Sequence, residues 1–165
     1  MIPPALIDKL EDLKRLLERA KTIAVVGLSD DPQRESNEVA AYLRERGYRI
    51  IGVNPNVREV FGEPVYPSLS AIPEELKAQI DLVAVFRRPE GVPALIDEAA
   101  RLGLQPVWLQ LGVSSPAAME AAAQRGIPLI AEKCLRVVHA LARVEAPGSK
   151  ESEEWGKKKA RETRP

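Results

Sequence analysis

One cysteine and one histidine occur in 165 residues. A single thiol can form no internal disulfide and no zinc cage, so a reducing cytoplasm is the simplest expectation. Lysine plus arginine equal aspartate plus glutamate at 24 each. That zero net charge removes the strong electrostatic attraction on which nucleic-acid binding depends. No apolar run approaches the roughly 20 residues of a membrane-spanning helix. Met1-Ile2-Pro3-Pro4 leads into a charged amphipathic stretch, without the apolar core of a signal peptide. Neither a nucleic-acid nor a membrane partner is therefore expected. What the chain does have is 45% hydrophobic against 29% charged residues, which suits a buried core under a solvated surface. Its length predicts one domain, expected over residues 1–146, with a charged, mobile tail over 147–165. In that tail the run Lys157 to Arg161 has glutamates on both sides, as a solvated segment would. The 14 prolines and the scarcity of Cys and Met fit a thermostable protein.

Along the chain, continuous apolar runs alternate with stretches of helical period. Leu6, Leu10, Leu13 and Leu17 predict an amphipathic N-terminal helix. Thr22 to Gly27 is a β-branched run, as in a strand buried on both faces. A helix through Val39, Tyr42 and Leu43 follows, ending near Gly47, and then a strand from Tyr48 to Val53. Asp81 to Phe86, Val107 to Leu111 and Pro128 to Ala131 predict three further strands. Helices between them start near Pro89 and at Ser115-Pro116, where Ser caps and Pro fits the first turn. A last helix runs through Val137 and Leu141. Val57 to Glu75, with Pro64, Pro67 and Pro73, breaks the rhythm and predicts a surface excursion with a short turn or edge strand. The expected fold is α/β: a three-layer, doubly wound parallel sheet of Rossmann type, about five strands, with an extra N-terminal helix.

Such sheets bind ligands beyond the carboxyl ends of their strands, where strand order reverses. The loops that must meet there hold Gly27-Leu28-Ser29 through Arg34, Asn54-Pro55, Arg87-Arg88-Pro89 and Gln110-Leu111-Gly112. A helix beginning near Ser36-Asn37 would aim its backbone N–H groups at that edge, which favours an anion. Arg34, Arg87 and Arg88 could add contacts to phosphate oxygens, although strand alternation predicts that only one of the paired arginines faces the groove. The usual dinucleotide fingerprint is incomplete. Gly27 supplies the first glycine of GxGxxG and the others are missing, while Asn54 stands where an NAD enzyme places an acid.

Four segments then occur in order: Ile23-Ala24-Val25-Val26-Gly27-Leu28-Ser29, Gly52-Val53-Asn54-Pro55, Asp81-Leu82-Val83-Ala84-Val85-Phe86-Arg87-Arg88 and Val107-Trp108-Leu109-Gln110-Leu111-Gly112-Val113. Together they resemble the small stand-alone CoA-binding proteins, whose fold is similar to the N-terminal domain of the succinyl-CoA synthetase α-subunit. The likeness spans roughly Leu16 to Ala142. It implies a Rossmann domain that binds coenzyme A or an acyl-CoA. It places Gly27, Ser29 and Arg34 at phosphates, Asn54-Pro55 near the adenosine end, and Phe86-Arg87 and Gln110-Gly112 along the groove. It also puts Cys134 where the CoA thiol would approach, against the ordinary reading of an inert free cysteine.

A ligase of this lineage needs a phosphohistidine and an ATP-grasp partner, for which the sequence has no room. The lone His139 sits in a helical pattern and is expected to be structural or exposed. The expectation is therefore a CoA-binding module without chemistry of its own, serving an unidentified protein partner or sensing the CoA pool. The alternatives are an NAD(P)-dependent oxidoreductase, for which no Tyr-x-x-x-Lys pair is found, and a regulatory nucleotide-binding module. Trp108 is expected in the core. Gln110 would need a partner if buried, from a ligand or from backbone.

Overall fold

The computed structural model describes residues 5–145. The segment 147–165, expected to be a tail, lies outside them. The chain runs α1 (Leu10–Arg19), β1 (Thr22–Val26), α2 (Glu35–Glu45), β2 (Arg49–Val53), β3 (Glu59–Val60), β4 (Glu63–Tyr66) and α3 (Glu74–Lys77). It continues with β5 (Leu82–Val85), a 3-10 turn (Pro89–Gly91), α4 (Val92–Arg101), β6 (Val107–Leu109), α5 (Pro116–Arg125), β7 (Leu129–Ile130) and α6 (Leu135–Leu141). The seven strands form one sheet in the order β3-β4-β2-β1-β5-β6-β7. All pairs are parallel except β3 with β4.

The sheet has two more strands than the five expected. Both come from the proline-rich excursion. Pro64 lacks an N–H for a ladder, and it is tolerated here because β3–β4 is the sheet's edge pair. The N-terminal helix is also shorter than its leucine spacing predicts. Leu6 is outside it: Ile7 N–H donates to the Leu129 carbonyl at 2.9 Å and Leu129 N–H to the Ala5 carbonyl at 2.8 Å. These residues add to the edge of β7, whose backbone groups would otherwise lack partners.

Alternation along the buried strands supplies a core on each face. Ala24, Val26, Ile51, Val53, Val83, Val85, Val107 and Leu109 pack with apolar residues of α4 and α5. Ile23, Val25, Ile50, Leu82, Ala84 and Trp108 pack with α1, α2 and α6. Trp108 is fully buried, as expected, and its indole N–H donates to the Lys133 carbonyl at 2.8 Å. Ser115 caps α5 by accepting the Ala118 N–H at 3.1 Å, and Gly126 ends it in the left-handed conformation. No described helix is long and apolar enough to cross a membrane.

Candidate functional site

After β1 the chain lays down β2 beside it, then β3 at the far edge and β4 between β3 and β2, and returns to lay β5 on the other side of β1. Strand order therefore reverses between β1 and β5, and the loops leaving them diverge at their carboxyl ends. The gap is a groove of 550 Å³, within the size range of small-molecule sites. Gly27 forms its floor at φ +89°, and a Cβ there would overlap the Phe86 carbonyl oxygen. Only glycine lets the β1 loop turn so close to the β5 end.

The loop from Gly27 to Glu35 is held by its own polar groups. Ser29 N–H donates to Ser36 Oγ at 3.0 Å, and Asp31 N–H donates to Ser29 Oγ at 3.0 Å. Both hydroxyls act as acceptors here, so each keeps its hydrogen to offer a ligand. Buried Asn37 donates to the Ser29 carbonyl at 2.8 Å, and Asn54 donates to the Leu28 carbonyl at 3.0 Å. Asn54 Oδ1 also accepts the Asn56 N–H at 2.9 Å. Both ends of the Asn54 amide are thus used in bracing two loops.

α2 begins at this loop without a side-chain cap. Its first backbone bond joins Glu38 N–H to the Arg34 carbonyl at 3.0 Å. The preceding N–H groups of Glu35, Ser36 and Asn37 are the orphan donors of a helix start. Arg34 is exposed at the N-cap position, and Arg87 and Arg88 leave the end of β5. None of the ion pairs among the described residues involves these three guanidinium groups. Glu35 brings one negative charge to the same rim. The cations, the helix dipole and two free hydroxyl hydrogens are an arrangement that attracts an anion such as phosphate.

Of the twelve residues singled out from sequence, the structure brings ten to this groove: Gly27, Ser29, Arg34, Ser36, Asn54, Phe86, Arg87, Arg88, Gln110 and Gly112. Leu28 is not among them. Its side chain is buried in the core against Gly52 and only its carbonyl faces the loop network. Pro55 is an exposed turn residue off the lining. Both Arg87 and Arg88 reach the groove, contrary to the alternation argument, because β5 ends at Val85 and the pleat does not extend to them. Glu35 and Val113 also line it, and their sequence signal was only nearness to a strand or helix end.

Glu132 escaped the sequence reading altogether. It sits beyond β7 at φ 56° and accepts from Ser114 Oγ at 2.7 Å and Gly112 N–H at 3.2 Å. The Ser114 hydroxyl, then the Gly112 amide, hold its carboxyl below the ordinary range. It pins the loop after β6, and it occupies the Gly112 N–H. Cys134 is half-buried immediately before α6 and is not a lining residue.

A CoA binding domain model matches residues 21–140 of the chain. The chain belongs to this CoA binding domain family. The family's segment begins just before β1 and ends within α6, so it contains the whole groove. The uncharacterized protein YneT of Bacillus subtilis (strain 168) is 36% identical over 132 residues, covering 80% of this chain and 95% of YneT. A solved structure, cell-free ID.343 from Thermus thermophilus, has a TM-score of 0.74 at 38% identity, covering 82% of this chain and 99% of that one. The ADP-forming acetate–CoA ligase I of Archaeoglobus fulgidus is 26% identical over 147 residues, which is 83% of this chain and 21% of the ligase. The chain thus spans about a fifth of that enzyme's length.

Proposed function

We propose that the groove between β1 and β5 binds coenzyme A or an acyl-CoA, with phosphates at the start of α2 and the remainder crossing toward β6. The observation carrying this reading is the convergence of an uncapped helix start with Arg34, Arg87 and Arg88, none of them in an ion pair among the described residues. Family membership supports the choice of CoA among phosphate-bearing ligands. Asn54 at the end of β2 supports it over NAD, whose ribose hydroxyls are usually met there by a carboxylate.

The protein is read as a binding module that performs no reaction by itself. Apart from the arginines, Glu35 is the titratable side chain on the groove lining. A cytoplasmic location and an enzyme or regulator as protein partner complete the proposal.

A ligand present at 100 times its Kd stabilises the folded state by about 2.7 kcal/mol. For a domain of this size that raises Tm by roughly 5–10 °C. Thermal melts with CoA, acetyl-CoA, NAD, NADP and ATP separate the readings, and CoA or acetyl-CoA should give the largest rise. A clear rise with NADP and none with CoA would overturn the proposal. Arg34→Ala should weaken CoA binding on the order of tenfold, as the loss of a charge-assisted contact does.

A further inference from the structure

The β6 side of the groove differs from the α2 side. It is built from Gln110, Leu111, Gly112 and Val113 and carries no cation. Leu111 is an exposed apolar lip, and the Gly112 N–H is already donated to Glu132. Gln110 is 1% exposed and still lines the groove.

Its carboxamide is oriented by α6. Oε1 accepts the Leu135 N–H at 3.1 Å, and that donor requires the oxygen, not the nitrogen, at this place. Nε2 is the other end of the same carboxamide, and it is buried without a hydrogen-bond partner. Native proteins leave few such donors unpaired, and those they leave call for an explanation. A neutral donor in an apolar wall suits a neutral acceptor. Phosphate oxygens are drawn instead to the guanidinium groups and helix start across the groove.

We infer that Gln110 Nε2 donates to a carbonyl oxygen, amide or thioester, on the uncharged arm of the bound ligand. This rests on the reading of the groove as a CoA site, because CoA joins phosphates to an arm with amide carbonyls, and acyl-CoA adds a thioester carbonyl. Gln110 is then a specificity residue that makes the groove prefer the whole ligand over its nucleotide part.

The direct test is the side-chain NH2 resonance pair of Gln110 in the 15N-labelled wild-type protein, titrated with ADP, CoA and acetyl-CoA. It should shift with CoA and acetyl-CoA and stay in place with ADP. Calorimetric titration of Gln110→Glu and Gln110→Met with the same ligands supplies the second readout. Glu keeps an acceptor for the Leu135 N–H, Met adds no charge, and both remove the donor. Each should lower the ratio of CoA to ADP affinity by roughly fivefold to tenfold, the size of a lost hydrogen bond. Equal loss for CoA and acetyl-CoA assigns the contact to an amide, and a larger loss for acetyl-CoA assigns it to the thioester. If the wild type binds CoA and both ratios are unchanged, or if ADP moves the NH2 pair as CoA does, the Gln110 assignment is wrong and the CoA site stands. If the wild type does not bind CoA, the site reading and the inference fall together.

Discussion

At the contact between α2 and α6, His139 Nδ1 lies 3.0 Å from the Tyr42 hydroxyl, while Nε2 is buried without a partner. The rings of Tyr42 and Tyr48 meet the imidazole edge-on, at 5.3 and 5.8 Å between centroids. Arg46 stacks on Tyr42 at 3.4 Å. Burial first, and the Arg46 charge second, hold the imidazole below its ordinary pKa of 6.5. Between the two values the unfolded chain binds a proton that the folded chain does not. This group's contribution is thus complete above the unfolded value, declines as pH falls through it, and levels off below the folded one. Denaturant titrations from about pH 7.5 to pH 5.5 should show wild-type stability falling, and His139→Phe should flatten that dependence. Parallel curves for the two proteins would rule the histidine out as the cause. The pattern around His139 marked it as structural or exposed, and burial in a tyrosine cluster decides for structural.

Two elements show how local period and tertiary demand compete. The spacing of Leu6 and Leu10 satisfies a helix, yet Ala5 to Ile7 is extended because the two-residue β7 would otherwise be an open edge. Removing residues 1–7 should cost roughly 1–3 kcal/mol, the worth of two backbone hydrogen bonds and one apolar contact. The urea midpoint measures this, and an unchanged midpoint would show that the edge does not need its cover. The other end of α1 is held differently. The Tyr48 hydroxyl donates to the Leu17 carbonyl in the last turn of the helix, and burial, aided by Glu18 and Tyr42, pushes the phenol well above its ordinary range. Strands β1, β2, β5 and β6 were legible because residues buried on both faces form nearly continuous apolar runs. For β3 and β4 the sequence offered only a short turn or edge strand somewhere in Val57 to Glu75, because these short edge segments carry no such run.

For the whole molecule, neutrality and a phosphate site coexist because charge is distributed unevenly. Arg34, Arg87 and Arg88 reach one edge from loops 53 positions apart in sequence, and strand order alone makes them neighbours. The groove lining named among the described residues falls within 27–113. A chain ending at 146 should therefore bind CoA with the affinity of the full chain, within about twofold in calorimetric titration. A larger loss would bring the C-terminal segment into the site and refute the proposed division into domain and tail.

The sequence by itself determined the α/β class, the buried strands, the breaks after them and the family likeness. All of these are written in local period, turn residues and short motifs. It also brought the arginines to the correct edge, because parallel topology constrains where strand ends lie. Tertiary structure alone decided which polar groups are already used and which are free. Asn54 is engaged across 26 positions, Gly112 across 20, the oxygen end of Gln110 across 25 and His139 across 97. A hydrogen bond between distant segments leaves no periodic trace in either one. The unpaired Gln110 amide therefore came into view only with the folded chain.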